Sequence, residues 1–240
     1  MSKLIHKKWF KVLSVVCWIL MIGSIYLATN NLLVAIEIIV IPLIHELGHA
    51  IPGVLLFKVP AKLVILPFGL AVDFDEKQYS QLPAEKAALI LIGGVSINTI
   101  MGAGFFILLK AGSTDFAVFF GLILNVLLAL TNIVPLSFVD GSHFVKAVLW
   151  PMRQGSRALF VVIWLMSLAL VWIALGMTTI TGIVILANAL GVCYYALFAN
   201  RSKTEQPNML ELICSALAFS VLLFCNLFMG MWILQIAQVI

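Results

Sequence analysis

Long, almost uninterrupted runs of apolar residues dominate the chain. A helix needs about 20 predominantly apolar residues to cross the hydrocarbon core of a bilayer. Six to seven runs reach that length, with short polar stretches between them. They cover residues 10–28, 32–57, 87–109, 116–139, 158–175, 178–199 and 209–233. The pattern predicts an all-α polytopic membrane protein with six to seven transmembrane helices.

A segment with a different pattern lies between the second and third runs. Residues 60–75 read PAKLVILPFGLAVDFD, two short β-branched and apolar stretches interrupted at Pro67 and Gly69. This pattern predicts a short β-hairpin, with a plain interfacial loop as the alternative. An open strand edge cannot face lipid, so we expect the hairpin at the interface or against the helices. A free edge there is able to accept an extended peptide as an added strand.

The composition agrees with a membrane protein. Hydrophobic residues make up 63% of the chain and charged residues 10%, whereas soluble domains are about 45–50% apolar and about 25% charged. The net charge of +4 comes from Lys and Arg concentrated in certain loops, which indicates membrane topology rather than nucleic-acid binding. The four cysteines lie in apolar runs without metal-ligand spacing, and we interpret them as buried apolar residues.

The positions of Lys and Arg predict the orientation of the chain. If the basic N-terminus is cytoplasmic and the first run is a retained span, the Lys- and Arg-rich loops all fall on the cytoplasmic side. Their basic residues are Lys3, Lys7, Lys8, Lys11, Lys58, Lys62, Lys77, Lys86, Lys146, Arg153, Arg157, Arg201 and Lys203. Only Lys110 then lies in an outside loop.

The second run contains a metal-site motif. In His45-Glu46-Leu47-Gly48-His49 the two histidines are four residues apart, so on a helix they share one face and are able to bind one ion. Glu46 lies beside them in the position of a general base. His and Glu are costly inside a bilayer, which favours a functional role over a polar packing cluster without metal.

A third ligand is expected because catalytic zinc sites usually have three protein ligands. The candidate is Asp140, at the end of the fourth run in NIVPLSFVDG, residues 132–141. Pro135 breaks the helix and Gly141 permits a turn, which together expose the carboxylate at membrane depth. His49 is followed by Lys58 and Asp140 by Lys146 after only a short length of helix, so both motifs are expected in the cytoplasmic half of the membrane. A helix-end carboxylate at the interface is the alternative.

These motifs, in this order, resemble those of the site-2 proteases, intramembrane zinc metalloproteases with a core of three helices. A third family signature, Gly-Pro-x-x-Asn, has its counterpart in residues 94–98, and the resemblance covers residues 36–143. It implies that one catalytic Zn²⁺ is bound by His45, His49 and Asp140 and that Glu46 is the base. It also implies that Asn98 and Asn132 bind the substrate.

The chain departs from the family pattern at two positions. Val95 stands where the family usually has proline, and Phe138 stands where a second proline often precedes Asp-Gly. Neither change removes a ligand. No segment resembles the PDZ or CBS domains of some members, and the turn at Pro67 to Gly69 is similar to that of the members that process a sporulation factor.

The resemblance also implies a domain organisation and a function. We expect an N-terminal span with a basic tail (1–31), a catalytic membrane core (32–146) and C-terminal transmembrane helices (147–240). The expected activity is hydrolysis of a peptide bond within or next to a transmembrane segment of a membrane-bound regulator, a signal-peptide remnant or a small peptide precursor. The expected location is the bacterial cell membrane, with the active site opening toward the cytoplasm. The alternatives are a metal-binding membrane protein or transporter, and a pseudoprotease that binds helices without cleaving them.

Three further points keep alternatives open. Glu37 precedes His45 by eight residues and is interpreted as a carboxylate near the outer interface, with a water path to the metal as the alternative. His143 is interpreted as a loop residue, with support of the metal ligands as the alternative. Two histidines and a carboxylate also suit iron, but a Glu beside the first His favours zinc.

Overall fold

The computed structural model describes residues 8–67, 69–136, 139–176, 178–198 and 209–237. Within these ranges the chain forms nine α-helices and one two-stranded sheet. The elements are α1 Lys8–Thr29, α2 Leu32–Ala50 with a π-helical continuation Ile51–Leu56, β1 Ala61–Leu66, β2 Gly69–Phe74, α3 Glu76–Tyr79, α4 Ala84–Lys110, α5 Phe116–Ile133, α6 Asp140–Leu149, α7 Gln154–Ala174, α8 Thr179–Leu197 and α9 Met209–Ala237. Of the residues named above, Lys3, Lys7, Phe138, Arg201 and Lys203 lie outside the described ranges.

Seven helices in the described ranges are long and apolar enough to cross a membrane: α1, α2 with its continuation, α4, α5, α7, α8 and α9. The predicted all-α polytopic class is confirmed, and the upper end of the predicted number of spans is correct. Polar residues set several helix starts. The side chain of Asn31 caps α2, that of Asp115 caps α5 and that of Thr178 caps α8, each accepting from backbone N–H groups that have no helical partner.

The fourth predicted span is too long. Helix α5 ends at Ile133 rather than at residue 139, and Val134 is extended with ψ 127°. Pro135 explains the difference, because it lacks an N–H group and disfavours helical backbone at the preceding residue. The chain becomes helical again at Asp140. His143 therefore lies in α6, and its interpretation as a loop residue is wrong.

The predicted β-hairpin is present. Strands β1 and β2 are antiparallel, with Leu66 opposite Gly69 at the turn. The hairpin lies between the first two helices, with β1 against α1 and β2 against α2. Trp18, which is 8% exposed, donates a hydrogen bond of 2.8 Å from its indole Nε1 to the carbonyl oxygen of Leu66. The hairpin is thus tied to α1 and packed against α2.

The hydrogen bond from Trp18 predicts a measurable effect on the hairpin. Trp18→Phe keeps an aromatic ring but removes the donor, at a cost of about 1 kcal/mol, so backbone amides of the hairpin should exchange with deuterium about fivefold faster. Hydrogen–deuterium exchange read by mass spectrometry measures this. Trp9→Phe is the control, because Trp9 is 55% exposed. Equal exchange in the wild type and Trp18→Phe would show that the bond does not hold the hairpin.

An aromatic cluster anchors the short helix α6. The ring of Phe144 stacks on Phe219 of α9 at 4.7 Å between centroids, and Trp164 of α7 packs edge-on against both rings. All three side chains are almost fully buried. Rings in offset or edge-to-face contact stabilise a core beyond the area that they bury. The C-terminal helices thereby fix α6, whose first residue is Asp140.

Candidate metal centre and its cavity

Two histidines lie one helical turn apart on α2. His45 and His49 are 3% and 5% exposed, and their rings meet edge to face with centroids 4.9 Å apart. Their Nε2 atoms are 3.3 Å apart. The spacing of four residues places both rings on the same face of the helix, so both Nε2 atoms point toward one position.

Asp140 reaches the same position from α6. Its Oδ2 atom lies 3.1 Å from Nε2 of His45 and 3.0 Å from Nε2 of His49. The break at Pro135 lets the chain turn back against the end of α5, where a Cβ atom on Gly141 would lie 2.6 Å from the carbonyl oxygen of Ile133. The absence of a side chain at Gly141 therefore allows the approach that brings Asp140 to the histidines.

The three ligand atoms fit a tetrahedral metal ion. Bonds of about 2.0–2.2 Å from zinc to nitrogen and oxygen, at tetrahedral angles, separate neighbouring ligand atoms by about 3.3–3.6 Å, close to the separations found here. The separations here are 3.0, 3.1 and 3.3 Å. His45, His49 and Asp140 form a group able to hold a metal ion within the described residues.

The hydrogen bonding of His49 also favours a cation. Its Nδ1 atom lies 2.8 Å from the carbonyl oxygen of Ile90, which only accepts, so Nδ1 carries the hydrogen. In a neutral ring Nε2 then presents a lone pair, and this lone pair faces the Asp140 carboxylate. Two electron-rich atoms at this distance require a positive charge between them, which either a proton on Nε2 or a metal ion supplies.

Glycines of α4 make room for the histidines. A Cβ atom on Gly94 would overlap Nε2 of His49 and lie 2.7 Å from Cε1 of His45. One residue earlier, Gly93 contacts Gly48 of α2 so closely that a Cβ on Gly93 would overlap the Gly48 carbonyl oxygen. The backbones of α2 and α4 therefore touch beside the metal centre. Only glycine permits this approach.

Glu46 contacts the hairpin. Its Oε2 atom accepts a 2.8 Å hydrogen bond from the backbone N–H of Val72 in β2. Val72 lies opposite Leu63 in the register, and its N–H points away from β1 toward α2. The edge of β2 that the sequence suggested for an added strand is thus partly engaged by Glu46.

A cavity of ≈ 920 Å³ opens onto the centre. Residues of α1, α2, the hairpin, α3, α4, α5 and α6 line it. The lining includes His45, Glu46, His49, Asp140 and Asn132. Asn98 is on α4, one turn beyond Gly94, and is fully buried; the described lining does not include it. Glu37 is also outside the described lining.

Tyr79 and His143 line the same cavity, and the sequence did not single out Tyr79. The Tyr79 ring stacks on Phe74 of β2 at 5.5 Å. Burial, and secondarily the negative charge of Asp140, raises the pKa of Tyr79 to about 12. Burial, and then the charge of Lys146, lowers the pKa of His143. No motif marks a tyrosine in a short polar helix, so only the three-dimensional structure reveals Tyr79.

The fold and the site define a polytopic membrane protein with a His–His–Asp cluster in the wall of a cavity. No protein-family model matches the chain, and no curated protein matches it. Among solved structures, the chain is similar to the site-2 protease from Methanocaldococcus jannaschii. The similarity covers 81% of this chain and 91% of that one, with 20% sequence identity and a TM-score of 0.47.

Proposed function

We propose that the protein is a membrane-embedded zinc metalloprotease. The observation that carries the proposal is the convergence of His45, His49 and Asp140 on one position, with Glu46 lining the same cavity. A base beside two histidines and a carboxylate is the arrangement of hydrolytic zinc sites. His45, Glu46 and His49 belong to a helix that is long and apolar enough to cross a bilayer, which supports a substrate that is itself in the membrane.

The residues divide into two roles. His45, His49 and Asp140 would hold zinc, which when bound acts as a Lewis acid toward a peptide carbonyl and activates water. Glu46 takes a proton from the attacking water and returns it to the leaving amine nitrogen. The hydrogen bond between Ile90 and Nδ1 of His49 fixes the orientation of that imidazole, as metal-ligating histidines require.

The substrate must be extended where it is cut, because a helix hides its carbonyls in backbone hydrogen bonds. The edge of β2 and Asn132 line the cavity and are positioned to hold such a segment. The predicted contact of Asn98 with substrate requires α4 to move, because that amide is fully buried.

The proposed substrates are a membrane-bound regulator, a signal-peptide remnant or a small peptide precursor. The proposed setting is the bacterial cell membrane, with the N-terminus and the opening of the site on the cytoplasmic side, where the positive-inside rule puts the basic loops. In this proposal residues 32–146 form the catalytic core, and residues 147–240 support it through contacts such as those of Phe144.

Metal content tests the proposal directly. Elemental analysis of detergent-purified wild type should find about one zinc per chain, and His45→Ala and Asp140→Ala should each reduce it at least about tenfold, because each removes one of three protein ligands. His143→Ala and Asp115→Ala are matched controls that should retain zinc. Zinc retained by Asp140→Ala would remove Asp140 from the ligand set, and wild type without metal would refute a zinc enzyme.

A further inference from the structure

Peptide hydrolysis develops negative charge on the carbonyl oxygen, and a hydrogen-bond donor aimed at that oxygen accelerates the reaction. The two asparagines that the resemblance implied for substrate binding are weaker candidates for that donor. Asn98 is fully buried, and its side chain lies outside the described lining of the cavity. Asn132 lines the cavity, and one of the two N–H groups on its Nδ2 atom donates to the carbonyl oxygen of Leu128 at 3.0 Å, which ties the amide to its own helix and leaves a single N–H group for a substrate.

Tyr79 is held firmly at the wall of this cavity. It ends α3, a short helix whose start is capped by the side chain of Asp75. Its ring stacks on Phe74, with an angle of 24° between the ring planes. Phe74 in turn fills the space that a side chain on Gly53 would take, since a Cβ there would lie 2.8 Å from its Cζ atom. The Tyr79 ring is therefore fixed through β2 against the end of the α2 segment.

The Tyr79 hydroxyl is available as a donor. Tyr79 lines the cavity together with Glu46 and Asp140. Within the described part of the chain its hydroxyl forms no hydrogen bond. With its pKa raised to about 12, the phenol keeps its proton at neutral pH.

We propose that Tyr79 is a further catalytic residue, whose hydroxyl donates a hydrogen bond to the carbonyl oxygen of the scissile peptide as that oxygen becomes negative. The phenol keeps its proton throughout, so Glu46 remains the group that moves protons. The inference rests on the proposed protease function and adds to it a residue that its sequence motifs do not include.

His143 is the rival donor. It lines the same cavity from α6, and its pKa is lowered by burial and then by Lys146, so its ring is neutral at neutral pH and carries one N–H group. A neutral imidazole is also able to donate to a carbonyl oxygen. The roles of Tyr79 and His143 are separated by removing each donor in turn.

The test uses full-length protein and a single-span reporter peptide that has a helix-destabilising Asn-Gly pair near one end of its apolar segment. Tyr79→Phe keeps the stacking on Phe74 and removes only the hydroxyl. We expect kcat to fall about 10²-fold, with KM and zinc content unchanged. A phosphinic peptide of the reporter sequence, which mimics the tetrahedral intermediate, should lose affinity by a similar factor. Tyr194→Phe, at an exposed residue of α8, should leave kcat unchanged, and His143→Gln should lower kcat less than Tyr79→Phe does.

Each outcome decides the inference. If wild type cleaves the reporter, Glu46→Gln does not, and Tyr79→Phe equals wild type, Tyr79 is not catalytic although the protease function stands. A loss of zinc in Tyr79→Phe, or a fall in kcat with His143→Gln alone, also overturns it. If zinc-loaded wild type cleaves no reporter, the proposed function fails and the role of Tyr79 fails with it.

Discussion

Replacing Glu46 with glutamine is expected to abolish peptide cleavage while the protein stays folded and retains zinc. Glutamine has nearly the same shape, and its amide oxygen is still able to accept the hydrogen bond from Val72. It cannot accept a proton from water. General-base catalysis contributes about 10²–10⁴-fold to reaction rates, so the rate of reporter cleavage should fall at least about 10²-fold. Quantified cleavage in proteoliposomes, with zinc content determined on the same samples, measures it.

The matched control for this variant is Glu37→Gln. Glu37 is on the same helix, undergoes the same chemical change and lies outside the described lining of the cavity. Its activity should stay close to wild type. Substantial cleavage by Glu46→Gln would assign the base to another group, and loss of cleavage in both variants would show that α2 tolerates no such change.

The second large effect is expected at Gly94, where alanine should eliminate metal binding. The added Cβ would overlap Nε2 of His49 and approach Cε1 of His45, so both rings would have to leave their positions. Zinc content should fall at least about tenfold, since displacing even the groups that only orient ligands costs 10–100-fold in metal affinity. Cleavage should be lost in parallel.

Gly104→Ala provides the control on the same helix. A Cβ there meets nothing within 4 Å, and alanine favours a helix over glycine by about 1 kcal/mol. This variant should bind zinc as wild type does and be at least as stable to heat. Normal zinc content in Gly94→Ala would mean that the two imidazoles do not pack against α4 as described.

The transmembrane architecture was predictable because it depends on local properties. The length and apolar character of a run decide whether it spans a bilayer, and the described part of the chain contains seven such helices. The two short β-branched and apolar stretches around Pro67 and Gly69 likewise predicted the hairpin. The fourth run extends to residue 139 because residues 134–139 are mostly apolar, whereas the helix itself ends before Pro135, where the sequence predicted a break.

The candidate site was only partly predictable. His45 and His49 follow from helical spacing, and Asp140 was expected from the helix break at Pro135 and the turn at Gly141; the three residues form one group in the structure. The hydrogen bond between Glu46 and Val72 could not be predicted from the sequence, because its donor is a backbone N–H group, which almost every residue possesses. Tyr79 reaches the cavity through the geometry of the hairpin and α3, which no single motif encodes.

The contact between Gly48 and Gly93 sets the shortest distance that α2 and α4 can reach. Side chains in contact are able to change rotamer under load, but backbones that already touch cannot come closer. Lateral compression by the bilayer therefore cannot push α2 toward α4, and the imidazoles keep their room beside Gly94. Helices with few contacts to the rest of the protein are the ones that can adjust to membranes of different thickness or tension. Helix α1 is such a helix, since only 11% of its apolar segment is buried.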